Sequence, residues 1–441
     1  MPKRPAKSTP RLLRHVFHNH GVDLVSSRTA VGALGAIVLL LIGAVMALGR
    51  DHTGKTVVTV RLWDREAAAA YAESFTEFTK MHPGIEVRTN VVAYASYFDT
   101  LRTDVAGGGA DDIFWINNAH FAEYADNARL MSILPSPDWD QSAVEQFTRN
   151  GALWGVPQLT DAGIALYYNA DLLAADGVDP GILDALTWNP DPARDTLRPL
   201  LKRLTHGRQW GYNAANDIQA INLNYIGSAG GEFAANDRFS FDNPAAIMAF
   251  TYLVDLINLD RVSPPASDTN DNGDFSRNQF LSGRMALFQS GTYNLAQIAD
   301  QAGFRWGVSM LPAGPAGRVS VTNSIVAAGN AASRNAAATR EVLTWLGSTR
   351  GNEFLGRRGA AIPAVLPAQK VYFDYWNARG VDVTPFFTVL DGPRIPAPGG
   401  AGFAAGYQAL TPYFDEMFLN RMPVTDALSK AQRAANAAAQ S

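Results

Sequence analysis

Between Arg28 and Arg50 the chain carries 21 residues without a charge, TAVGALGAIVLLLIGAVMALG, and nothing later in its 441 residues resembles them. As a helix rising ~1.5 Å per residue, such a run crosses a hydrocarbon core of ~30 Å. Lys3, Arg4, Lys7, Arg11, Arg14 and Arg28 precede it, against one acid, Asp23. Clustered Lys and Arg stay on the cytoplasmic side, so the chain after Gly49 is expected to fold outside the cell. The run exceeds the ~7–15-residue apolar core of a signal peptide. Val45-Met46-Ala47 is a poor small-x-small cleavage site, so the expectation is an uncut single-pass anchor in the cell membrane, with the C-terminal part extracytoplasmic.

The chain has no cysteine, which removes disulfides, thiolate metal sites, cysteine nucleophiles and lipid attachment through a thiol together. Stability then has to come from core size, and an apolar content of 47% with nine Trp supplies one. The basic tail 1–28 carries +5, leaving −9 on residues 29–441. An acidic ectodomain argues against nucleic acid as a partner.

Val57 to Trp63 reads as a strand, followed by a helix with Tyr71, Phe75 and Phe78 on one stripe. His82-Pro83-Gly84 stops that helix. A strand over Ile85–Val92, a helix capped by Ser96 and ended by Gly107-Gly108-Gly109, and a buried strand over Ile113–Ile116 follow. Further strands are expected at Ile164–Tyr168, Arg284–Phe288, Trp306–Leu311 and Ile325–Ala328. Helices are expected near Leu197–Leu204, over Asp217–Gly227, after Asp242-Asn243-Pro244 and from Ala404 onward. Strands alternating with helices predict βαβ units and a mostly parallel α/β sheet.

Two motif matches fail on context. Gly49 to Thr56 spells a Walker A loop, but an apolar span precedes it and a strand follows, the reverse of what phosphate binding at a helix N-terminus needs. Asp268 to Gly273 copies the first half of a calcium loop, yet Gln279 stands where a bidentate Glu is required, so a solvated turn is the plainer reading. No G-x-S-x-G or H-E-x-x-H occurs, and His52, His82, His120 and His206 are isolated. No catalytic constellation, metal site or cofactor is expected.

Several segments carry a resemblance in combination: VRLWDREAAAAYAESFTEFTKMHPGIEV, GGGADDIFWINNAHFAEYADNARLMSIL and GALWGVPQLTDAGIALYYNADLLAADGVD, then GSAGGEF before DNPAAIMAFTYLVDLI. FLSGRMALFQSGTYNLAQ, WGVSMLPAGPAG and TREVLTWLGSTRGNEFLGRRGAAIP continue it. From Val57 almost to the end, this order resembles the family 1 extracellular solute-binding proteins of carbohydrate ABC importers. The resemblance implies a two-lobe periplasmic-binding-protein-like fold of type II, with a hinge and the ligand held between lobes. Ahead of it, the basic residues, the uncharged run and the polar stretch after it give a cytoplasmic tail over 1–28, an anchor or signal segment over 29–49 and a spacer over 50–56. Lobe 1 would take 57–160, lobe 2 161–310, and 311–441 would return to lobe 1 with C-terminal helices shared between lobes. The implied partners are a carbohydrate-like solute (sugar, amino sugar or glycerophosphodiester), ABC permease subunits and the membrane, for a monomeric, non-enzymatic receptor. The competing readings are an anchored glycoside hydrolase on a similar scaffold and a solute sensor.

Sugar binding asks for flat aromatic faces and fixed polar groups, which strand-end loops supply. Trp63, Asp64 and Arg65 leave the first strand together. Asn117 and Asn118 follow the third. Asp161 lies near the expected crossing between lobes, and Glu232 and Phe233 follow a Gly-Gly pair. Tyr293, Asn323 and Arg394 lie in later strand-end loops. These eleven residues are the candidate binding set.

Overall fold

The computed structural model describes residues 54–441 apart from 161–162, 236, 401 and 441. The expected span over 29–49, most of the Walker-like loop and Asp161 lie outside the described residues. No helix among the described residues is long and apolar enough to cross a membrane.

Residues 55–441 fold around two sheets. The first has five strands in the order Ile85–Val91, Thr56–Leu62, Ile113–Asn117, Ser324–Gly329 and Val156–Thr160. Its first three strands are parallel and joined by helices, as their alternation predicts. Ser324–Gly329 runs antiparallel to both of its neighbours. The second sheet, Leu287–Ser290, Ala165–Asn169 and Trp306–Met310, is antiparallel throughout. Within these two sheets the expectation of a mostly parallel arrangement therefore holds for three strands only. Ser324–Gly329 returns from the second sheet's part of the chain, and Ala165–Asn169 lies between Leu287–Ser290 and Trp306–Met310, which the helix Leu295–Gln301 joins, so it runs antiparallel to both.

Local signals set most boundaries. Asp64 caps the helix Arg65–Met81, accepting from the Ala67 N–H at 2.8 Å, and Tyr71, Phe75 and Phe78 are its buried stripe. Asn243 caps Pro244–Asn258 in the same way, with Pro244 in the first turn. The helix Tyr94–Gly107 starts two residues before the expected Ser96 cap, and the Ser96 hydroxyl donates to the Ala93 carbonyl instead. The strand expected over Arg284–Phe288 forms at Leu287–Ser290, because Met285 pairs with Trp210 in an isolated bridge.

Each sheet is buried on both faces. Val58, Val60, Ile116 and Val326 of the first join Leu343 and Phe354 in one core. In the second, Leu166 and Leu287 face the largest core, while Ala165, Tyr167 and Phe288 face another with Trp376 and Phe386, the period-two alternation of a strand. The C-terminal helices Phe403–Phe418 and Val424–Ala438 add Phe414, Met417 and Leu428 to the largest core.

The chain passes between the two parts along several adjacent segments tied to one another. Thr160 N–H bonds Ile362 carbonyl at 3.2 Å, Gly163 N–H bonds Phe386 carbonyl at 2.7 Å, and Ile164 N–H bonds Ser320 Oγ at 2.7 Å. A Cβ at Gly163 would collide with Val389, so only glycine lets these segments approach so closely. Ser320–Thr322 and Arg394–Pro396 pair as a short parallel ribbon alongside.

Trp188 is fully enclosed in the largest core, 5.0 Å from Tyr225 and 5.1 Å from Tyr252 between ring centroids. Trp188→Ala is expected to cost about 3–5 kcal/mol, seen as a lower midpoint in urea unfolding. An unchanged midpoint would mean that this core does not limit stability.

Candidate functional site

Between the sheets' strand ends lies a cleft of about 600 Å³, the size of a small-ligand site. Its first wall is aromatic. Trp63, just past the first strand, meets Tyr94, Tyr97 and Trp115 edge to face at 5.5, 4.9 and 5.3 Å. Trp115 is fixed from behind: its indole N–H donates to Tyr71 Oη at 2.9 Å, and Tyr71 Oη donates to Gln158 Oε1 at 2.6 Å. Asn117, almost wholly buried, donates through Nδ2 to Tyr94 Oη at 3.4 Å and leaves Oδ1 without a protein partner.

The opposite wall is polar. Residues 213–219 run into a π-helical turn, Ile218–Asn222, a form that often marks functional positions. Asp217 caps this turn, accepting from Gln219 N–H at 3.1 Å and Ala220 N–H at 2.8 Å. The buried Gln289 amide holds the turn in place: it accepts from Tyr212 Oη at 2.6 Å and donates to Ala220 carbonyl at 2.6 Å. Asn213 exchanges two bonds with the Gln289 backbone, at 3.0 and 2.8 Å. Tyr293 lies across Gly291, where a Cβ would collide with its ring, while Tyr167 Oη donates to the Gly291 carbonyl at 2.8 Å.

Among the described lining residues, Asp64, Asp217, Asp274 and Arg277 are charged, so the cleft leans acidic. Arg277 pairs with Asp274 at 2.9 Å. Asp64 and Asp217 both have carboxyls pushed above the usual carboxylate range by loss of surrounding water, an effect that their backbone N–H bonds partly offset. Among the described residues no group of three or more His, Asp and Glu could hold a metal ion. The calcium-like segment forms a short helix, Ala266–Thr269, and the turn that supplies the Asp274–Arg277 pair.

Of the eleven candidate residues, the structure brings Trp63, Asp64, Asn117, Tyr293 and Asn323 to the cleft. Asp161 lies outside the described residues. Arg65 opens the first helix on its exposed side. Asn118 turns away, donating to the Ala397 carbonyl at 2.5 Å. Phe233 stacks on Phe241 at 4.8 Å within the largest core, and Glu232 beside it faces solvent. Gly231 serves close packing against Ala245 and Asn243, not a ligand. Arg394 is exposed and donates through Nε to the Leu390 carbonyl at 2.8 Å. These five do not line the cleft. Sequence reasoning missed Tyr94, Asn213, Asn216, Asp217, Gln289 and Tyr407. The Asn-Ala-Ala-Asn-Asp run at 213–217, polar and directly before a helix, was the available signal.

A carboxyl whose folded-state pKa exceeds its unfolded value takes up a proton on folding. Stability therefore falls as pH rises from about 4 through the folded value. Asp217→Asn keeps the capping oxygen and removes that penalty. Its thermal midpoint at pH 7 is expected at or above the parent's, with a shallower decline across the acidic range, while ligand affinity falls about 10- to 100-fold. Lower stability at unchanged affinity would make Asp217 a helix cap alone.

The comparisons agree with this architecture. A crystal structure of M. tuberculosis UspC is 69% identical, matching 87% of this chain and all of that one with a TM-score of 0.72. An ABC substrate-binding protein of Listeria monocytogenes, in complex with cycloalternan, shares the fold at 20% identity and a TM-score of 0.77, over 87% of this chain and 98% of its own. A maltose/maltodextrin-binding domain of Bdellovibrio bacteriovorus, bound to maltotriose, does so at 15% identity and 0.72, over 88% of this chain and all of its own. A binding protein of Brucella abortus is 23% identical over 300 residues, 64% of this chain and 70% of its own length. The family model for bacterial extracellular solute-binding proteins matches residues 63–353, well over half of the sequence, and the chain belongs to that family.

Proposed function

We propose that this chain is the extracytoplasmic substrate-binding component of a sugar ABC importer, capturing a carbohydrate-like solute between its lobes. The observation that carries the reading is the pairing of walls: Trp63 and Tyr94 offer aromatic surface backed by the buried Trp115, and across the cleft Asn213 and Asn216 form a polar wall with Asp217, whose carboxylate can accept from hydroxyls. Sugars present both an apolar C–H face and a rim of hydroxyls, so such a cleft suits them. The neighbours with cycloalternan and maltotriose lend support, since they show the same fold around a saccharide. Trp63, Asp64, Asn117, Tyr293 and Asn323 are the contacts we assign from the sequence set, with Asp217 added.

The same reading makes the protein a monomeric receptor and not a hydrolase. Asp64 and Asp217 each accept backbone N–H bonds of a helix start, which ties them to position instead of leaving a proton-transfer pair poised. A division into 57–160, 161–310 and 311–441, delivery to permease subunits and anchoring through 29–49 belong to it as well. The anchoring rests on the uncharged run behind a basic tail.

Calorimetric titration with a panel of sugars, amino sugars and glycerophosphodiesters is the test. At least one is expected to bind, with a change in tryptophan fluorescence, and Trp63→Ala is expected to weaken it about 10- to 100-fold. Silence across the panel would end the carbohydrate reading. Anchoring is tested separately: the full chain should stay with membranes through an alkaline carbonate wash, and release into the supernatant would rule out an uncut span.

A further inference from the structure

A second chamber, of about 380 Å³, opens beside the cleft. The two share Tyr94, Asn117, Ile218, Gln219, Asn323 and Tyr407, which form a neck between them. Past the neck, Leu223, Val321, Ala397, Pro398, Phe403 and Ala404 form the chamber's apolar walls, with Gln408 and Thr411 beside them. Leu223, Val321 and Phe403 continue directly into the largest core. The charged groups at the chamber are Asp99 and Arg102, both exposed on one helix, with Arg102 3.5 Å from Glu123. His120, stacked on Phe98 at 3.6 Å, is held down to about 4 by burial and the nearby Arg102, so it is neutral at physiological pH.

We infer that this chamber is a site for an uncharged, apolar group carried by the solute, such as the aglycone of a glycoside whose sugar sits in the cleft. The inference rests on the sugar reading of the cleft. The cleft leans acidic, while the chamber sets those six apolar side chains and a neutral imidazole among its polar ones. A charged group passing beyond Asp99 and Arg102 would exchange water for the apolar walls. A bare sugar ring could reach Gln408 and Thr411, but hydroxyls turned toward Leu223, Val321 and Phe403 would have no partner there. An apolar group loses nothing there and gains by leaving water. At the neck, Asn117 Oδ1 has no protein partner and can accept from a hydroxyl next to the linkage.

The test uses the full chain in lipid nanodiscs with two probes. The first is a pair, the methyl and phenyl glycosides of whichever panel sugar binds. The second is 4-fluorophenol, followed by fluorine NMR. Ala404→Phe and Ala119→Leu fill the chamber from two different helices and leave the cleft lining unchanged. The phenyl glycoside is expected to bind about tenfold tighter than the methyl one. Both variants should erase that gain while methyl glycoside affinity stays within about twofold, and both should expel 4-fluorophenol. Equal binding of the two glycosides, or a gain that survives both variants, overturns the chamber and leaves the sugar reading standing. If no glycoside binds but 4-fluorophenol does, and both variants expel it, the sugar reading fails and the apolar chamber is upheld. Binding of neither probe overturns both.

Discussion

Two buried glutamines hold the cleft in shape, and the remaining features of the site follow from them. Gln158 sits on Val156–Thr160, fully enclosed, where Oε1 accepts from Tyr71 and Nε2 reaches the Val156, Pro157 and Leu346 carbonyls at 3.1–3.4 Å. Its backbone carbonyl accepts from Asn352 at 3.0 Å. Gln289 does the same work across the cleft for Tyr212 and Ala220. A buried amide left without partners costs ~1–3 kcal/mol, so each wall is stable in one arrangement. The aromatic wall cannot tilt without breaking the first network, nor the polar turn unwind without breaking the second.

Each wall is thus rigid by itself, and adjustment falls to the segments between. Those segments are held mainly by backbone hydrogen bonds and the short ribbon Ser320–Thr322 with Arg394–Pro396. Hinge closure requires rigid walls joined by a few connecting segments, and the proposed receptor function would use these. A ligand can favour a closed form only by binding it more tightly than the open one. Contacts made by both walls at once supply that difference, which is why a site split between Trp63 and Asp217 suits a receptor better than one built on a single lobe.

The sequence made the first sheet legible because its signals are local. The Tyr71, Phe75, Phe78 stripe, the Asp64 and Asn243 caps and the Gly-rich stops each act within a few residues. Strand ends also led to Trp63, Asn117 and Asn323, since a residue leaving a buried strand toward a cleft is placed by the strand itself. The misses have a common physical origin. Gln289 is polar within a strand, and its role depends on Tyr212, 77 positions away. Phe233 was a candidate because it follows two glycines, yet Phe239, Phe241 and Phe414 enclose it, two of them from its own hairpin and one from a C-terminal helix. Arg394 suited an anion by type, but its guanidinium is used on a local carbonyl. Long-range partners decide such cases, and one sequence does not display them.

The raised carboxyls show what such a site costs the fold. A cap needs only an oxygen, and asparagine supplies one without the penalty of holding a charge where water is scarce. The upward direction of both shifts is the sign expected where an amide cap would suit the empty protein better than a carboxylate, most clearly at the half-buried Asp64. The compensation comes when the cleft is filled. A carboxylate already bonded to two backbone N–H groups is fixed in direction, and its remaining lone pairs can accept from a hydroxyl without further ordering. The capping bonds keep the charge in place until then, and the ligand's donors replace the missing water. That links helix capping, charge and recognition in one side chain on each wall.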